Sequence, residues 1–160
     1  MLNYANEEIK YTGCPACAYV NHEFTLPCGI AYEDEKYILS QDWVLPIKGF
    51  FILSIKKHIR RFDELTKEER NEMFDIVEKT ISILRKHNIC GKFDVIFEED
   101  CGHFHIWIMP RYDWMKDLGD NITGNINNIF EYAIENFKNE ETYKEINQIN
   151  EIVRKSLWEQ

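Results

Sequence analysis

Two imidazoles and two thiols lead the residues able to do chemistry. His103 and His105 sit one residue apart in Cys101-Gly-His-Phe-His-Ile-Trp-Ile-Met-Pro-Arg111, and Cys14 and Cys17 bracket Pro-Ala near the start of the chain. A neutral imidazole, with an ordinary pKa of about 6.5, is a nucleophile, a base or a metal ligand at neutral pH. The Cys-x-x-Cys pair has the spacing of structural zinc sites, where thiolates coordinate tetrahedrally and two further nitrogen or sulfur ligands complete the shell. The pair alone leaves those two open, and His22 and Cys28 are local candidates. A thioredoxin-like redox pair would want a βαβ setting, whereas the residues that follow read as a hairpin.

The elements that must position these groups are legible from periodicity. Runs of β-branched and aromatic residues predict strands at Ile30–Glu33, Tyr37–Gln41, Gly49–Ile55, Phe93–Phe97 and His103–Met109, most simply a meandering antiparallel sheet. In the last of these, His103, His105, Trp107 and Met109 project to one side, and Phe104, Ile106 and Ile108 to the other. The second set is purely apolar, so it faces the core and leaves the imidazoles and the indole on the opposite surface. Pro110, with no amide hydrogen, ends the strand. Thr66-Lys-Glu-Glu69 has the form of a capping box and opens a helix that ends near Gly91, with Met73, Val77, Ile81 and Leu84 on one stripe. Helical spacing recurs from Ile122 to Phe137 and from Tyr143 to Leu157, giving two C-terminal helices that cover one end or face of the sheet. The fold class is α+β.

Composition narrows the function. With 160 residues, 44% apolar and 14% aromatic, the chain suits a single domain spanning 1–160. A formal charge of −9 argues against broad nucleic-acid binding, which needs a basic surface. The longest apolar run falls far short of the ~20 residues that a membrane-spanning helix needs, and the N-terminus is polar. Five cysteines, an odd number, in a chain with no visible secretory segment point to free thiols or metal rather than disulfides, with the cytoplasm as the expected location.

Two segments together resemble the histidine-triad (HIT) family of nucleotide hydrolases and transferases. Its signature is His-φ-His-φ-His-φ-φ, commonly closed by Pro-Arg, and His103-Phe-His105-Ile-Trp107-Ile-Met-Pro110-Arg111 matches it at every position but the third histidine. Upstream, Asp42-Trp-Val-Leu-Pro46 through Gly49 to Lys56-Lys57-His58 is similar to the family's Asp-Ile-x-Pro, Gly and Lys-Lys-His, in register without a gap. The similarity covers about 12–111, and 112–160 is a helical extension outside it. The resemblance implies a five-stranded antiparallel sheet with one long helix. It makes His105 the nucleophile that attacks the α-phosphorus of a dinucleoside polyphosphate or nucleoside phosphoramidate, forming a nucleotidyl-histidine that water opens. It places Asp42 on the ribose hydroxyls. Bacterial zinc-containing members complete the Cys-x-x-Cys site with two histidines, which here implies structural zinc on Cys14, Cys17, His58 and His103, a support for the strand that carries His105. The family is commonly homodimeric, through the long helix and a neighbouring strand.

Two departures bear on activity. Trp107 stands where the third histidine contacts the scissile phosphate and the leaving group, and an indole has no titratable nitrogen to deliver a proton. The galactose-1-phosphate uridylyltransferases carry glutamine there and still transfer nucleotides. In addition, Glu98-Glu99-Asp100 replaces a phosphate-binding stretch with carboxylates, either solvated or repelling polyphosphate. The leading expectation is therefore a HIT-type hydrolase or transferase. The alternatives are a catalytically lapsed nucleotide-binding module and a zinc-stabilised interaction domain that uses Trp43, Trp107 and Trp114 as exposed aromatics.

Overall fold

The computed structural model describes residues 2–4, 7–10, 12–100, 102–119 and 121–158. Cys101, at the head of the histidine segment, lies outside the described residues. Strands β1 (Leu2–Tyr4) and β2 (Glu7–Ile9) form a separate antiparallel ribbon. Next come helix α1 (Pro15–Val20), strands β3 (Tyr32–Glu33), β4 (Tyr37–Gln41) and β5 (Phe51–Ile55), and the long helix α2 (Lys67–Lys86). Strands β6 (Phe93–Glu98) and β7 (His105–Pro110) and helices α3 (Ile126–Phe137) and α4 (Glu140–Trp158) complete the chain. The five-stranded sheet has the order β3-β4-β5-β7-β6 and is antiparallel throughout.

The capping box forms as expected: Glu69 N donates to Thr66 Oγ1 at 3.2 Å, and Thr66 N donates to Glu69 Oε2 at 2.8 Å. The helix it starts buries Met73, Ile76, Val77, Ile83 and Leu84 against Leu39, Leu53, Ile106 and Phe104 of the sheet. Each such side chain contributes about 1.5–3 kcal/mol when fully buried. Thr80 is also buried on this face, where its hydroxyl donates to Ile76 O at 2.7 Å.

The C-terminal helices divide their work instead of covering one face together. Helix α3 lies on the side away from α2, where Ile129 and Ala133 pack with Phe50, Met109 and Met115. Helix α4 packs at the β3 edge, sending Ile149 and Val153 into the α2 core and Tyr143 and Ile146 onto Trp43 and Cys28. A short 3-10 turn, Thr123–Asn125, occupies the start of the run expected to be α-helical from Ile122. The motif Cys14–Cys17 opens a six-residue helix, not a hairpin, because Pro15 favours the first helical position and Cys14 Sγ accepts from Cys17 N.

Strand bounds shift by one or two residues. The last strand begins at His105, not His103, and its burial alternates from His105 to Ile108, with Ile106 and Ile108 in the α2 core, while Met109 on the other side is buried under α3. His103 leaves the expected surface position: it precedes the strand and is 2% exposed. The aromatics assigned to a partner surface are also covered. Trp43 is buried, Trp107 is half-buried, and Trp114 stacks on Tyr132 at 5.1 Å. Among the described residues, no helix is long and apolar enough to cross a membrane.

Candidate functional site

His105 sits at the start of β7, paired with Ser54 on β5 and with Glu98 on β6. Its Nδ1 is 2.9 Å from His103 O. A carbonyl oxygen only accepts, so Nδ1 carries the hydrogen and the lone pair of the neutral ring lies on Nε2. Backbone geometry thus selects the tautomer with a nucleophilic Nε2.

His105 lines a cavity of about 240 Å³ with Ser54 and Ile52 from the sheet. Pro15, Ala16 and Tyr19 of α1 form one wall, and Phe24, Leu26, Trp43 and Val44 form another. Asp42, among the described residues the one carboxylate in that lining, is held by Leu45 N, which donates to Oδ1 at 2.7 Å. Burial lifts its carboxyl to about 6, against the opposing pull of the Leu45 and Val44 amides. The loop that carries Asp42 is pinned by Gln41, which is fully buried. Gln41 Nε2 donates to the carbonyls of Asp42, Ile47 and Phe50 at 2.9–3.0 Å, and Oε1 accepts from Gly49 N at 2.8 Å. Gly49 adopts φ +76°, and a Cβ there would sit 3.3 Å from Ile89 Cγ2, so the loop needs glycine at its end.

The extension reaches this site from behind. Asn150 of α4, also fully buried, donates to Cys28 O at 2.7 Å and accepts from Gln41 N at 3.4 Å. Tyr143 packs on Trp43 with centroids 4.7 Å apart. Sequence reasoning missed Gln41 and Asn150, because an amide in a strand or helix pattern reads as surface until its partners are known.

At the far side of α1, Cys14, Cys17, His58 and His103 converge, their ligand atoms all within 4.8 Å of one another. Cys17 Sγ is 3.0 Å from His58 Nδ1 and 3.4 Å from His103 Nδ1, and Cys14 Sγ is 3.8 Å from His103 Nδ1. His103 Nε2 donates to Ile55 O at 2.7 Å, which leaves the Nδ1 lone pair facing the sulfurs. Two thiols and two imidazole nitrogens at such spacings fit a tetrahedral divalent cation. Burial and the adjacent Cys14 push the Cys17 thiol up to about 11, and burial lowers the His103 pKa. Both shifts favour the uncharged forms, and a bound cation reverses the first. The local alternatives lie elsewhere: His22 pairs with Glu33 at 2.9 Å, and the Cys28 thiol turns toward Gln41 O.

The sequence is 31% identical over 105 residues to an HIT-like protein of Methanocaldococcus jannaschii, a match covering 62% of this chain and 80% of the relative. The chain belongs to the HIT family. No family profile matches it. Among solved structures, a zinc-bound histidine triad family protein from Mycobacterium smegmatis superposes with a TM-score of 0.62 at 15% identity, covering 91% of this chain and 94% of that one. A hypothetical histidine triad nucleotide-binding protein from Sulfolobus tokodaii gives 0.63 at 19% identity, covering 91% and 93%. These two likenesses show the fold.

Against the HIT signature, the third triad position is filled by a wedge. Trp107 meets the Phe50 ring edge-on at 5.6 Å and lies 5.7 Å from Phe130 of α3. Its Nε1 is buried and meets no hydrogen-bond acceptor among the described residues. The acidic turn before the triad splits in two. Phe62 N donates to Glu99 at 2.7 Å, and Asp100 lies 3.8 Å from Arg60, so both are taken up by the Arg60–Phe62 segment. Glu98 instead stands opposite His105 and shares its face of the sheet.

Proposed function

We propose that this HIT protein binds a nucleotide and transfers its nucleotidyl group through His105, as a hydrolase or transferase acting at an α-phosphate. One observation carries this reading: the tautomer-fixed His105 stands at the rim of an apolar cavity that also holds Asp42. The base and sugar fit among Tyr19, Phe24, Leu26 and Trp43, and Asp42 accepts from the ribose hydroxyls. His105 Nε2 then attacks phosphorus, and water releases the nucleotidyl group from the ring. To test it, a nucleoside phosphoramidate and a dinucleoside polyphosphate are incubated with the protein and with His105→Ala. Turnover that depends on His105 supports the assignment, and equal turnover in both refutes it.

The packing of Trp107 favours a second reading, a nucleotide-binding module that has lost its chemistry. Tight nucleotide binding by calorimetry with no product over hours selects it.

Cys14, Cys17, His58 and His103 are proposed to hold structural zinc, supported by the donor set and by the lone pair that His103 directs at the sulfurs. Zinc there supplies cross-linking, joining α1 to the segment that leads into β7. Free thiols at Cys14, Cys17, Cys28 and Cys90 suit a reducing compartment such as the cytoplasm. A homodimer is proposed through β6 and α2. Strand β6 is a sheet edge, and Val95, Phe97 and Phe74 beside it are 40%, 40% and 44% exposed. Sedimentation of Phe97→Glu as a monomer, with a wild-type dimer, checks this.

A further inference from the structure

We propose that Glu98 serves the leaving group in this site, taking the part that Trp107 cannot, so that amines and alcohols depart in preference to phosphates. This rests on the nucleotidyl-transfer reading above.

The argument starts from the strand register. Ser54, His105 and Glu98 stand side by side across β5, β7 and β6, and one row along stand Ile52, Trp107 and Ile96. Ser54 and Ile52 line the cavity. A nucleoside held there leaves the rest of the substrate to extend over the other half of the face, where Trp107, Ile96 and Glu98 stand nearest His105 and Asp94, two rows away, pairs with Arg111 at 3.2 Å. Directly opposite residues of an antiparallel pair have Cβ atoms about 5 Å apart, so a glutamate carboxyl reaches a group bound at the His105 ring.

Elimination then selects one residue. Ile96 has no polar atom. Trp107 offers a single N–H, which is buried between apolar rings. Glu99 and Asp100 lie past the end of β6, against Phe62 N and Arg60. Glu98, the last residue of β6, is the carboxyl that the register sets beside His105, and a carboxyl can both give and take a proton.

The same placement sets the charge preference. Among the described residues, no lysine or arginine lines the cavity, and the chain carries a formal charge of −9. A Glu98 that has given up its proton is an anion on the exit side, which repels a departing phosphate and accommodates an uncharged amine or alcohol.

In the first step, His105 Nε2 bonds to phosphorus while the P–N or P–O bond to the leaving group breaks. The bonding electron pair stays on the leaving atom, which takes the proton of the Glu98 carboxyl. In the second step, water attacks phosphorus and its proton passes to the Glu98 carboxylate. The bond to His105 breaks, its electron pair returns to Nε2, and both residues are regenerated.

The test compares three substrates on the same nucleoside, adenosine or guanosine, whichever turns over faster: the 5′-monophosphate primary alkylamide, its p-nitrophenyl ester, and the diphosphate. Nitrophenolate departs without a proton, so the ester also reports whether a variant is folded. The wild type is expected to favour the amide over the diphosphate by at least about tenfold. Glu98→Gln is expected to lower the amide-to-ester rate ratio by about 10², the scale of general acid catalysis. Amide and ester rates that fall by the same factor, or a wild type that cleaves the diphosphate as fast as the amide, overturn the assignment of Glu98 while nucleotidyl transfer stands. A wild type that turns over none of the three overturns both.

Discussion

Trp107 and Phe130 come within 5.7 Å of each other across the gap between β7 and α3, and Phe50 presses on the same indole with ring planes 88° apart. This trio fastens the C-terminal extension to the strand of the triad. Truncating a large aromatic in such a setting costs about 3–5 kcal/mol, and an aromatic pair is coupled by about 0.5–1.5 kcal/mol beyond its burial. Because Trp107 is half-buried, Trp107→Ala should cost about 3 kcal/mol in urea unfolding. The double variant with Phe130→Ala should be less destabilised than the sum of the two single variants by about 1 kcal/mol. Additive losses would show that the two rings do not support each other.

The Cys2His2 cluster ties residues 14 and 17 to residues 58 and 103, so cation binding is linked to folding. A cation present at a thousandfold excess over its dissociation constant stabilises by about 4 kcal/mol. For a chain of this size that corresponds to about 10 °C in melting temperature. Chelation should therefore lower the melting temperature by about that amount, and Cys17→Ser should melt low with or without chelator while losing one equivalent of zinc by mass spectrometry. An unchanged melting temperature after the metal is stripped would count against a structural role.

Asn150 links the extension to the cavity through Cys28 O and Gln41 N. Asn150→Leu keeps the volume but leaves the buried Gln41 amide without its side-chain acceptor, at about 1–3 kcal/mol, and takes from Cys28 O one of two side-chain donors, the other being Arg154 Nη2 at 3.0 Å. Gln41 lines and pins the cavity, so nucleoside affinity by calorimetry should weaken in parallel with stability. Lost stability with unchanged affinity would confine Asn150 to packing.

How much of this was legible in the sequence differs from residue to residue. Period-two alternation put Ile106 and Ile108 in the core without ambiguity, because a strand has only two faces and one of them was purely apolar. Thr66 and Glu69 were readable because a capping box is local. His103 was misplaced by the same alternation, since its backbone leaves the strand before the pattern does. The meeting of Cys14, Cys17, His58 and His103 followed from family resemblance, not from spacing, which cannot report contacts across 89 residues. Glu98 was seen only as one member of an acidic turn. Its place beside His105 depends on the register between β6 and β7, and register is fixed by hairpin geometry and core packing, not by either strand alone. The separate destinations of α3 and α4 were hidden for a related reason: an amphipathic stripe shows that a helix packs, not what it packs against.

Asp42 gives the fold and the proposed ribose contact one shared signature in pH. Burial raises its carboxyl to about 6 in the folded protein, against about 3.9 in an unfolded chain. Between these values the folded protein holds the proton and the unfolded chain has released it, so the native state binds more protons and stability falls as pH rises. The stabilising contribution is complete below about pH 3.9 and is lost once pH passes through about 6. Asp42→Asn cannot titrate, so the wild type should be most stable relative to this variant near pH 4. Its advantage should shrink toward pH 6 to 7 and stay level above that. Nucleoside affinity should move the opposite way in the wild type, strengthening as the carboxylate forms and becomes the better acceptor for ribose hydroxyls, and this pH dependence should be absent in Asp42→Asn. Paired urea titrations and calorimetry across pH 4–8 measure both slopes. A stability gap that widens with pH, or an affinity trend that survives the substitution, would remove Asp42 from the titration and from the ribose site.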